Sequence, residues 1–312
     1  MTRHLISIHD LSAAEVAGLY RLAADVKAHP DKYAGALQRK NLGMIFEKSS
    51  TRTRVSFEVG MVQMGGHALF LSSRDIQLGR GEPISDTAKV LSRYVDGIMA
   101  RTFAHQTVTD LAKYGTVPVI NGLTDDLHPC QGLTDYFTLM EVFGGLDALK
   151  GRKLAYVGDG NNMAHSLMFG GAKLGMDVAI ASPKGYEVKP HYLELARQDH
   201  QATGTTLTIT NDPAEAVAEA SCVETDVWAS MGQEAEAQER LRAFEGFQVD
   251  GALMRHARQD AVFLHCLPAH RGEEVSAEVA DGPQSRIFDE AENRLHVQKA
   301  ILLWAMAGYD VV

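Results

Sequence analysis

Short, mainly apolar runs alternate with segments of helical spacing along most of the chain. An apolar run of roughly four to eight residues is typical of a buried strand, whereas apolar residues three and four positions apart indicate a helix with one buried face. The runs predict strands at 42–46, 68–72, 97–100, 117–121, 154–157, 177–181, 206–210, 222–227 and 261–267. Helical segments separate these strands, which predicts parallel sheets with helices on both faces.

A break in this pattern divides the chain into two predicted domains. Gly144 and Gly145 precede the polar segment 150–153, and a second series of strands and helices follows. A chain of 312 residues also fits two ordinary domains better than one. We therefore expect an α/β protein of two domains. The predicted ranges are 1–143, 144–291 and, for a last helix with an apolar end, 293–307.

Capping patterns predict where two helices begin. Ser12 and Glu15 have the spacing of a capping box, which predicts a helix that ends before Pro30. Ser85 or Asp86 is the predicted cap of a later helix.

The segment between the first strand and the next helix, KSSTRTRVSFE, carries an unusual charge. Arg52 and Arg54 occupy its first helical turn, where free backbone N–H groups favour acids instead. Hydroxyls from Ser50, Thr51 and Thr53 complete a set of donors that suits a phosphate. An exposed, solvated basic turn is the alternative. The glycine-lysine pattern of a P-loop is absent.

Further polar residues lie at the ends of predicted strands or just beyond them, where ligands bind in parallel sheets. Arg101 ends a buried strand, so it needs either an anion or a structural acid partner. His128 and Gln131 stand at a helix entry. They offer a donor or base and a donor–acceptor amide, although a histidine at such a position is commonly structural.

The second series of strands opens on a glycine turn, VGDGNN. The Gly-x-Gly-x-x-Gly pattern fails at Met163, which argues against NAD binding. The amide of Asn162 at a helix start can instead bind an amino-acid head group. Asp226 lies at the end of a strand, where it either attracts a substrate ammonium or caps the next helix.

A third polar cluster surrounds the last predicted strand. His265, Cys266 and His270 suggest a metal site, but no fourth ligand is spaced nearby, so we expect none. A buried, inert Cys266 is the ordinary alternative.

Composition narrows the classes of function. The chain is 45% hydrophobic and 22% charged, as globular proteins are, and its formal net charge of −10 argues against a nucleic-acid-binding surface. Cys130, Cys222 and Cys266 are too scattered for a disulfide framework, which favours reduced thiols and a cytoplasmic location. We expect neither a signal peptide nor a membrane span, because the N-terminus lacks an apolar core and no run approaches about 18 apolar residues.

Four motifs occur in a fixed order: STRT at 50–53, HPCQ at 128–131, DVWASMGQE from Asp226, and HCLP at 265–268. Their combination resembles the aspartate/ornithine carbamoyltransferase family over essentially the whole chain. Cys130 stands where the ornithine branch typically has Cys and the aspartate branch Thr. The resemblance is therefore to the ornithine branch.

This resemblance implies transfer of a carbamoyl group from carbamoyl phosphate to the side-chain amine of L-ornithine, giving L-citrulline and phosphate in arginine metabolism. Direct attack by the amine needs no metal, cofactor or covalent intermediate. The implied catalytic residues are Arg101, His128, Gln131, Cys266 and Arg294. The implied carbamoyl phosphate ligands are Ser50, Thr51, Arg52, Thr53, Gln77, Arg101, His128, Gln131, Cys266, Leu267 and Arg294. The implied ornithine ligands are Asn162, Asp226, Ser230 and Met231.

The resemblance also implies an architecture. The first domain binds carbamoyl phosphate, the second binds ornithine, and the C-terminal helix, 292–312, returns to the first domain. A homotrimer is implied, with Gln77 reaching a neighbour's site, and no nucleic acid or membrane is an expected partner. By sequence alone, Arg294 is an ordinary surface arginine at the entrance of the last helix.

Three alternatives remain beside this interpretation. The first is a sister carbamoyltransferase that acts on putrescine, N-acylated ornithine or aspartate, but Asp226 with Ser230 and Met231 favours free ornithine. An NAD-dependent oxidoreductase is opposed by the broken glycine pattern. A binding protein without activity is opposed by the intact His128, Gln131 and Cys266.

Overall fold

The computed structural model describes residues 2–76, 81–229 and 236–312. The chain forms two compact units. Unit 1 consists of Met1–Leu133 with Glu292–Val312, and unit 2 consists of Thr134–Ala291.

Unit 1 is built on a parallel four-stranded sheet with the strand order β2-β1-β3-β4. Its strands are β1 (Asn41–Phe46), β2 (His67–Ser72), β3 (Gly97–Arg101) and β4 (Val119–Leu123). Its first helices are α1 (Ala13–Ala28), α2 (Thr51–Gln63), α3 (Ile84–Leu91) and α4 (His105–Tyr114), with a short 3-10 turn at Pro30–Tyr33. Apolar side chains of β1, β3, α3 and α4 pack into one of its cores.

The first predicted cap is confirmed and the second is wrong. Ser12 Oγ accepts from Glu15 N at 3.1 Å while Ser12 N donates to Glu15 Oε2 at 2.8 Å. α3 instead begins after Pro83, whose carbonyl accepts from the N–H of Asp86 at 3.0 Å. Pro83 is itself the N-cap residue: its backbone is extended, with φ −61° and ψ 139°, and no side chain caps the helix.

Unit 2 contains a parallel five-stranded sheet with the order β7-β6-β5-β8-β9. The strands are β5 (Lys153–Val157), β6 (Asp177–Ala181), β7 (Leu207–Thr210), β8 (Cys222–Thr225) and β9 (Val262–His265). Its helices include α6 (Asn162–Leu174), α7 (Pro190–Thr203), α8 (Pro213–Val217), α9 (Ala237–Ala243), α10 (Gly251–Met254) and α11 (Ala277–Ala280). Valine and alanine side chains of β5, β6 and β8 form the centre of its core with Trp228 and Phe244.

Two helices begin earlier than the hydrophobic pattern indicates, which predicts starts at Leu133 and Asn293. They are α5 (Pro129–Phe143) and α12 (Ile287–Met306). Pro129 is a favourable first residue because it lacks the N–H that a first turn leaves unpaired. In α12, Asp289 and Glu290 lie in the first turn, where carboxylates interact well with the helix dipole. Arg294 consequently lies inside α12 and not at its entrance.

No helix in the described residues is both long enough and apolar enough to cross a membrane.

Candidate active site

In unit 1, strand register brings Arg101 beside the segment that leads into α2. Arg101 pairs with Phe46 at the ends of β3 and β1, and its carbonyl accepts from Glu47 N at 2.9 Å. The Arg101 side chain is buried. A buried guanidinium must be matched by acceptors or by an anion.

The first turn of α2 has the predicted electropositive character. Ser50 caps the helix, and its Oγ accepts from Thr53 N at 3.2 Å. The turn contains no acidic residue. Thr53 is buried, Arg52 is half-buried and Thr51 is exposed, so this turn presents backbone donors, hydroxyls and a guanidinium suited to an anion.

Two other cations near this turn are already engaged. The Arg54 guanidinium lies 3.8 Å from the centre of the Phe70 ring, and its Nε is 3.5 Å from Glu58 Oε2. Lys48 forms an ion pair with Asp125. Arg52, the third basic residue of the segment, is half-buried in the first turn of α2.

Arg294 connects α12 to both α2 and α5. Its Nη1 donates to Gln131 Oε1 at 2.5 Å, and its Nη2 donates to Thr53 Oγ1 at 3.2 Å. In the amide orientation that satisfies both of its atoms, Gln298 accepts from Arg294 Nη2 at 2.8 Å and Nε at 3.1 Å, and donates to Ser56 Oγ at 2.5 Å. The expectation of a surface arginine is wrong, because Arg294 is only 3% exposed.

His128 is buried among positive charges. Burial lowers the pKa of its imidazole well below the usual value, and the nearby guanidinium groups of Arg294, Arg101 and Arg52 lower the pKa further. The imidazole is therefore neutral at physiological pH. A neutral imidazole can donate one hydrogen bond without adding charge to the site.

Cys130 has a structural environment. Its thiol donates to the carbonyl of Asn121 at 3.4 Å, and burial raises its pKa to about 12 against the opposing effect of Arg294. It is therefore a protonated, unreactive thiol.

In unit 2, strand register brings Asp226 and Cys266 together. Thr225 of β8 pairs with His265 of β9, so the next residue of each strand leaves the sheet side by side. Both strands are shorter than predicted, ending at Thr225 and His265, because the side chains beyond them turn to polar contacts outside the ladder.

Asp226 accepts three hydrogen bonds from unit 2. Its Oδ1 accepts from Cys266 Sγ at 3.1 Å and from Val227 N at 2.8 Å, and its Oδ2 accepts from Asn161 Nδ2 at 3.1 Å. Asn161 also caps α6, with its Oδ1 accepting from Met163 N at 2.9 Å. The carboxylate is thereby fixed in position, and a carboxylate can accept a further donor.

Cys266 is a hydrogen-bond donor. Burial raises the pKa of its thiol well above the usual value, and the negative charges of Asp226 and Glu290 raise the pKa further. The thiol therefore stays protonated, which excludes a thiolate nucleophile.

The turn after Cys266 is held by His265. Leu267 N donates to His265 Nδ1 at 2.9 Å, so the ring proton lies on Nε2, which donates to Glu274 Oε1 at 3.1 Å. Leu267 has φ +59°, a left-handed conformation that is unusual for leucine. This chain of bonds fixes the backbone that follows Cys266.

A group of buried acids lies beneath this turn. Glu224 is fully buried on β8, and burial raises the pKa of its carboxyl well above the usual value. The charges of Asp135 and Glu290 raise the pKa further, and Glu290 Oε2 accepts from His265 N at 2.9 Å. Both effects disfavour the charged form of the Glu224 carboxyl.

One group of possible metal donors overlaps the site. Donor atoms of Asp226, His265 and Cys266 lie within 4.8 Å of one another. The Cys266 thiol is protonated, and both nitrogens of His265 are engaged in hydrogen bonds. These groups are better described as a hydrogen-bonded network than as a set of metal ligands.

A separate depression of about 910 Å³ lies at the amino ends of the strands of unit 1. Two cations on its wall are already paired: Arg3 Nη1 donates to the carbonyls of Trp304 and Tyr309, and Lys40 bonds Asp96 at 2.9 Å. The polar residues that sequence patterns single out belong instead to the carboxyl ends of the strands, where ligands of such sheets bind.

Two family models match the chain. The carbamoyl-P binding domain of aspartate/ornithine carbamoyltransferase matches residues 3–141, and the Asp/Orn binding domain matches residues 150–305. The chain belongs to the aspartate/ornithine carbamoyltransferase family.

Members of this family that are named ornithine carbamoyltransferase resemble the chain over nearly its whole length. The protein of Anoxybacillus flavithermus is 59% identical, covering 96% of each chain. The anabolic enzyme of Pyrococcus furiosus is 54% identical, covering 98% of this chain and 97% of that protein. A solved structure of Pyrococcus furiosus ornithine carbamoyltransferase has a TM-score of 0.94, at 53% identity and covering 99% and 98% of the two chains.

Some of the predicted site residues contact one another in the structure, and others lie outside the described residues. In unit 1, Arg294 contacts Thr53 and Gln131. In unit 2, Cys266 contacts Asp226. Asn162 begins α6, and its carbonyl accepts from Ser166 Oγ at 2.7 Å. Three predicted residues lie outside the described part of the chain: Gln77, Ser230 and Met231.

Sequence reasoning missed three supporting residues. Asn161, directly before the predicted Asn162, is the one that bonds Asp226, and a capping amide at a helix start was a usable signal. Gln298 orients Arg294, and Glu274 orients His265. Neither the contact of Gln298 with Arg294 nor that of Glu274 with His265 follows from a local sequence pattern.

Proposed function

We propose that this chain transfers the carbamoyl group of carbamoyl phosphate to the side-chain amine of L-ornithine, giving L-citrulline and phosphate. The observation that carries the proposal is the arrangement of Arg52, Arg101 and Arg294 around a neutral His128 in unit 1. The 59% identity to an ornithine carbamoyltransferase supports it. A dianionic phosphate is stabilised by such positive charge, and the adjacent carbonyl is stabilised by hydrogen-bond donors.

Unit 1 is the proposed carbamoyl phosphate domain. The phosphate would bind at the first turn of α2, where backbone donors, hydroxyls and the Arg52 guanidinium converge. The proposed phosphate ligands are Ser50, Thr51, Arg52, Thr53 and Arg101. Gln77 would add a contact from a neighbouring subunit.

The proposed role of the remaining unit 1 residues is to activate the carbamoyl group. His128, Arg101 and Thr53 would donate to its carbonyl oxygen, which gains negative charge as the amine adds. Because His128 is neutral, it would act as a fixed donor and not as a charged acid. Arg294 would hold the Gln131 amide by the bond to its Oε1 and would so orient the NH₂ of Gln131 toward the carbamoyl group.

Unit 2 is the proposed ornithine domain. The Asp226 carboxylate suits the α-ammonium group, and Asn162, Ser230 and Met231 are the other proposed ligands of the amino-acid head group. The Cys266 side chain and the Leu267 backbone would orient the carbamoyl NH₂. Catalysis would come from positioning and electrostatic stabilisation, with direct attack by the neutral amine.

We also propose a homotrimer in which subunits share active sites. Apolar side chains on α2 and β2 of unit 1 support a protein contact, because large exposed apolar groups in one area are uncommon on a monomer surface. These side chains are Val55, Val62, Leu69 and Phe70. A cytoplasmic location is proposed on the free thiols of Cys130, Cys222 and Cys266.

The experiment that tests the function is a stoichiometric assay of the purified chain. Carbamoyl phosphate and ornithine should yield citrulline and phosphate in equal amounts. His128→Gln should lower kcat while retaining carbamoyl phosphate binding. Binding of carbamoyl phosphate without citrulline formation by the unmodified chain would instead indicate the inactive binding protein.

A further inference from the structure

A second polar cluster in unit 2 lies in the turn that follows HCLP. His270, Glu273 and Glu274 each offer one ligand atom, and these atoms lie within 4.8 Å of one another. Glu273 N donates to the His270 carbonyl at 3.0 Å, which closes the turn. Gly272 has φ +94°, a conformation that glycine adopts without strain. The turn therefore brings the side chains of His270 and Glu273 close together.

Glu274 supplies an independent observation. Its side chain is fully buried, and its Oε1 accepts from His265 Nε2 at 3.1 Å and from His270 N at 2.5 Å. Among the residues that the structure describes, its Oε2 has no hydrogen-bond partner. A buried carboxylate oxygen without a donor is costly, and a bound cation is one of the recognised ways to satisfy it.

The distances favour a bridging cation over direct hydrogen bonds. His270 Nδ1 lies 3.7 Å from Glu274 Oε2 and 3.9 Å from Glu273 Oε2. A hydrogen bond needs about 2.7–3.2 Å between these atoms. Two ligands of a tetrahedral zinc ion, each bound at 2.0–2.2 Å, stand about 3.4 Å apart. Small side-chain adjustments would therefore place all three atoms around one ion.

The charge balance agrees with this geometry. Two adjacent carboxylates face one imidazole, and the neighbouring Arg271 does not neutralise them. Its guanidinium instead forms two bonds with Asp281, at 2.8 and 2.5 Å. The backbone is also anchored, since Gln248 Nε2 donates to the Glu273 carbonyl at 2.7 Å and Val249 N donates to the Glu274 carbonyl at 2.8 Å.

We propose that His270, Glu273 and Glu274 form a binding site for one divalent transition-metal ion, with water completing the coordination. One nitrogen and two carboxylate oxygens suit zinc or a neighbouring transition metal better than calcium or magnesium, which prefer oxygen alone. The ion takes no part in carbamoyl transfer. It binds the free oxygen of Glu274, whose other oxygen holds His265 and, through His265, the Leu267 backbone.

Cobalt(II) titration of the metal-free chain tests this site without an activity assay. We expect one cobalt ion per chain, with the visible absorption of a four- or five-coordinate site and without the near-ultraviolet thiolate band that Cys266 would produce. Zinc should displace the cobalt. No saturable binding would overturn the proposal and leave an ordinary ion pair between His270 and the two acids.

Variants separate this site from its neighbour. His270→Asn and Glu273→Gln should each weaken binding at least about tenfold, the smaller end of the loss seen when an outer-shell partner is removed. His256→Asn, an exposed histidine of the same unit, is the matched control and should bind normally. Cys266→Ser should also retain binding. Binding that survives loss of His270 and Glu273 but requires Cys266 would overturn the proposal, and circular dichroism confirms that each variant is folded.

Discussion

Arg294 Nη1 lies 2.5 Å from Gln131 Oε1, although the two residues are 163 positions apart in the chain. The same guanidinium reaches Thr53 Oγ1, so one side chain links α12 with the two proposed carbamoyl phosphate elements. Breaking this link should affect substrate binding and catalysis in unit 1 more than it affects ornithine binding.

Arg294→Lys is the sharpest test of this link. A lysine has no planar fork, so it cannot contact Gln131 and Thr53 in the same way. We expect kcat/KM for carbamoyl phosphate to fall about 10²- to 10³-fold, the usual loss for a missing transition-state donor. Arg93→Lys, at an exposed position of unit 1, is the matched control. Equal activity of the two variants would show that Arg294 is only structural.

Asp226 should determine recognition of the ornithine α-ammonium. Asp226→Asn keeps the shape but removes the charge, so KM for ornithine should rise about 10- to 100-fold, as expected for a lost charge-assisted hydrogen bond. Binding of carbamoyl phosphate should change little. Steady-state kinetics with each substrate varied in turn measures both effects. Asp260→Asn, half-exposed in the same unit, is the control, and an unchanged KM for ornithine in Asp226→Asn would contradict the role.

The Cys266 thiol should act as a protonated donor. Cys266→Ser retains a donor to Asp226, whereas Cys266→Ala removes it, so the alanine variant should lose more kcat/KM for ornithine. The raised thiol pKa also predicts slow alkylation by iodoacetamide at pH 7, measured by mass spectrometry. Fast alkylation together with equal kinetics for the two variants would indicate a reactive thiolate.

His128 should make unit 1 less stable in acid. Its folded-state pKa is lowered, so between that pKa and the unfolded value near 6.5 the unfolded chain binds more protons than the folded one. Stability is therefore fully present above about pH 6.5 and falls as the pH decreases through this window. His128→Gln should flatten this dependence in melting curves, and His67→Gln, an exposed histidine of unit 1, should not.

Glu224 should affect the pH dependence of stability in the opposite direction to His128. Its folded-state pKa is raised, so above about 4.3 the unfolded chain ionises first and stability falls as the pH rises. Glu224→Gln removes this cost, and its melting temperature relative to the unmodified chain should increase from pH 5 to pH 8. Glu245→Gln, at an exposed position, is the control. A constant difference across this range would show that Glu224 does not titrate as proposed.

The strands of both sheets could be predicted from the sequence because short apolar runs are typical of buried strands. β6 has the predicted bounds, and β1, β2, β3 and β5 are each within one residue of theirs. The start of α12 was harder to predict, since Asp289 and Glu290 in its first turn interrupt the apolar pattern. Helix ends of this kind depend on backbone capping and not on periodicity.

The candidate site was accessible only in part. Arg101, His128, Asp226 and Cys266 could be located because strand ends converge in parallel sheets. The burial of Arg294 could not, because it depends on contacts with Gln131, Thr53 and Gln298, which lie far apart in sequence. The hydrogen bond between His265 and Glu274 could not be predicted for a different reason. The two residues are nine positions apart in an irregular segment, and no periodic pattern relates such positions.

The central claim is that L-ornithine is the acceptor. The most direct measurement is carbamoyl transfer from carbamoyl phosphate to L-ornithine, putrescine, L-aspartate and N-acetyl-L-ornithine, each below saturation, at pH 7 and pH 9. We expect substantial turnover with ornithine alone, and faster turnover at pH 9, because only about 0.04% of a lysine-like amine is neutral at pH 7. Preferred transfer to another acceptor, or a flat pH dependence with chemistry rate-limiting, would contradict it.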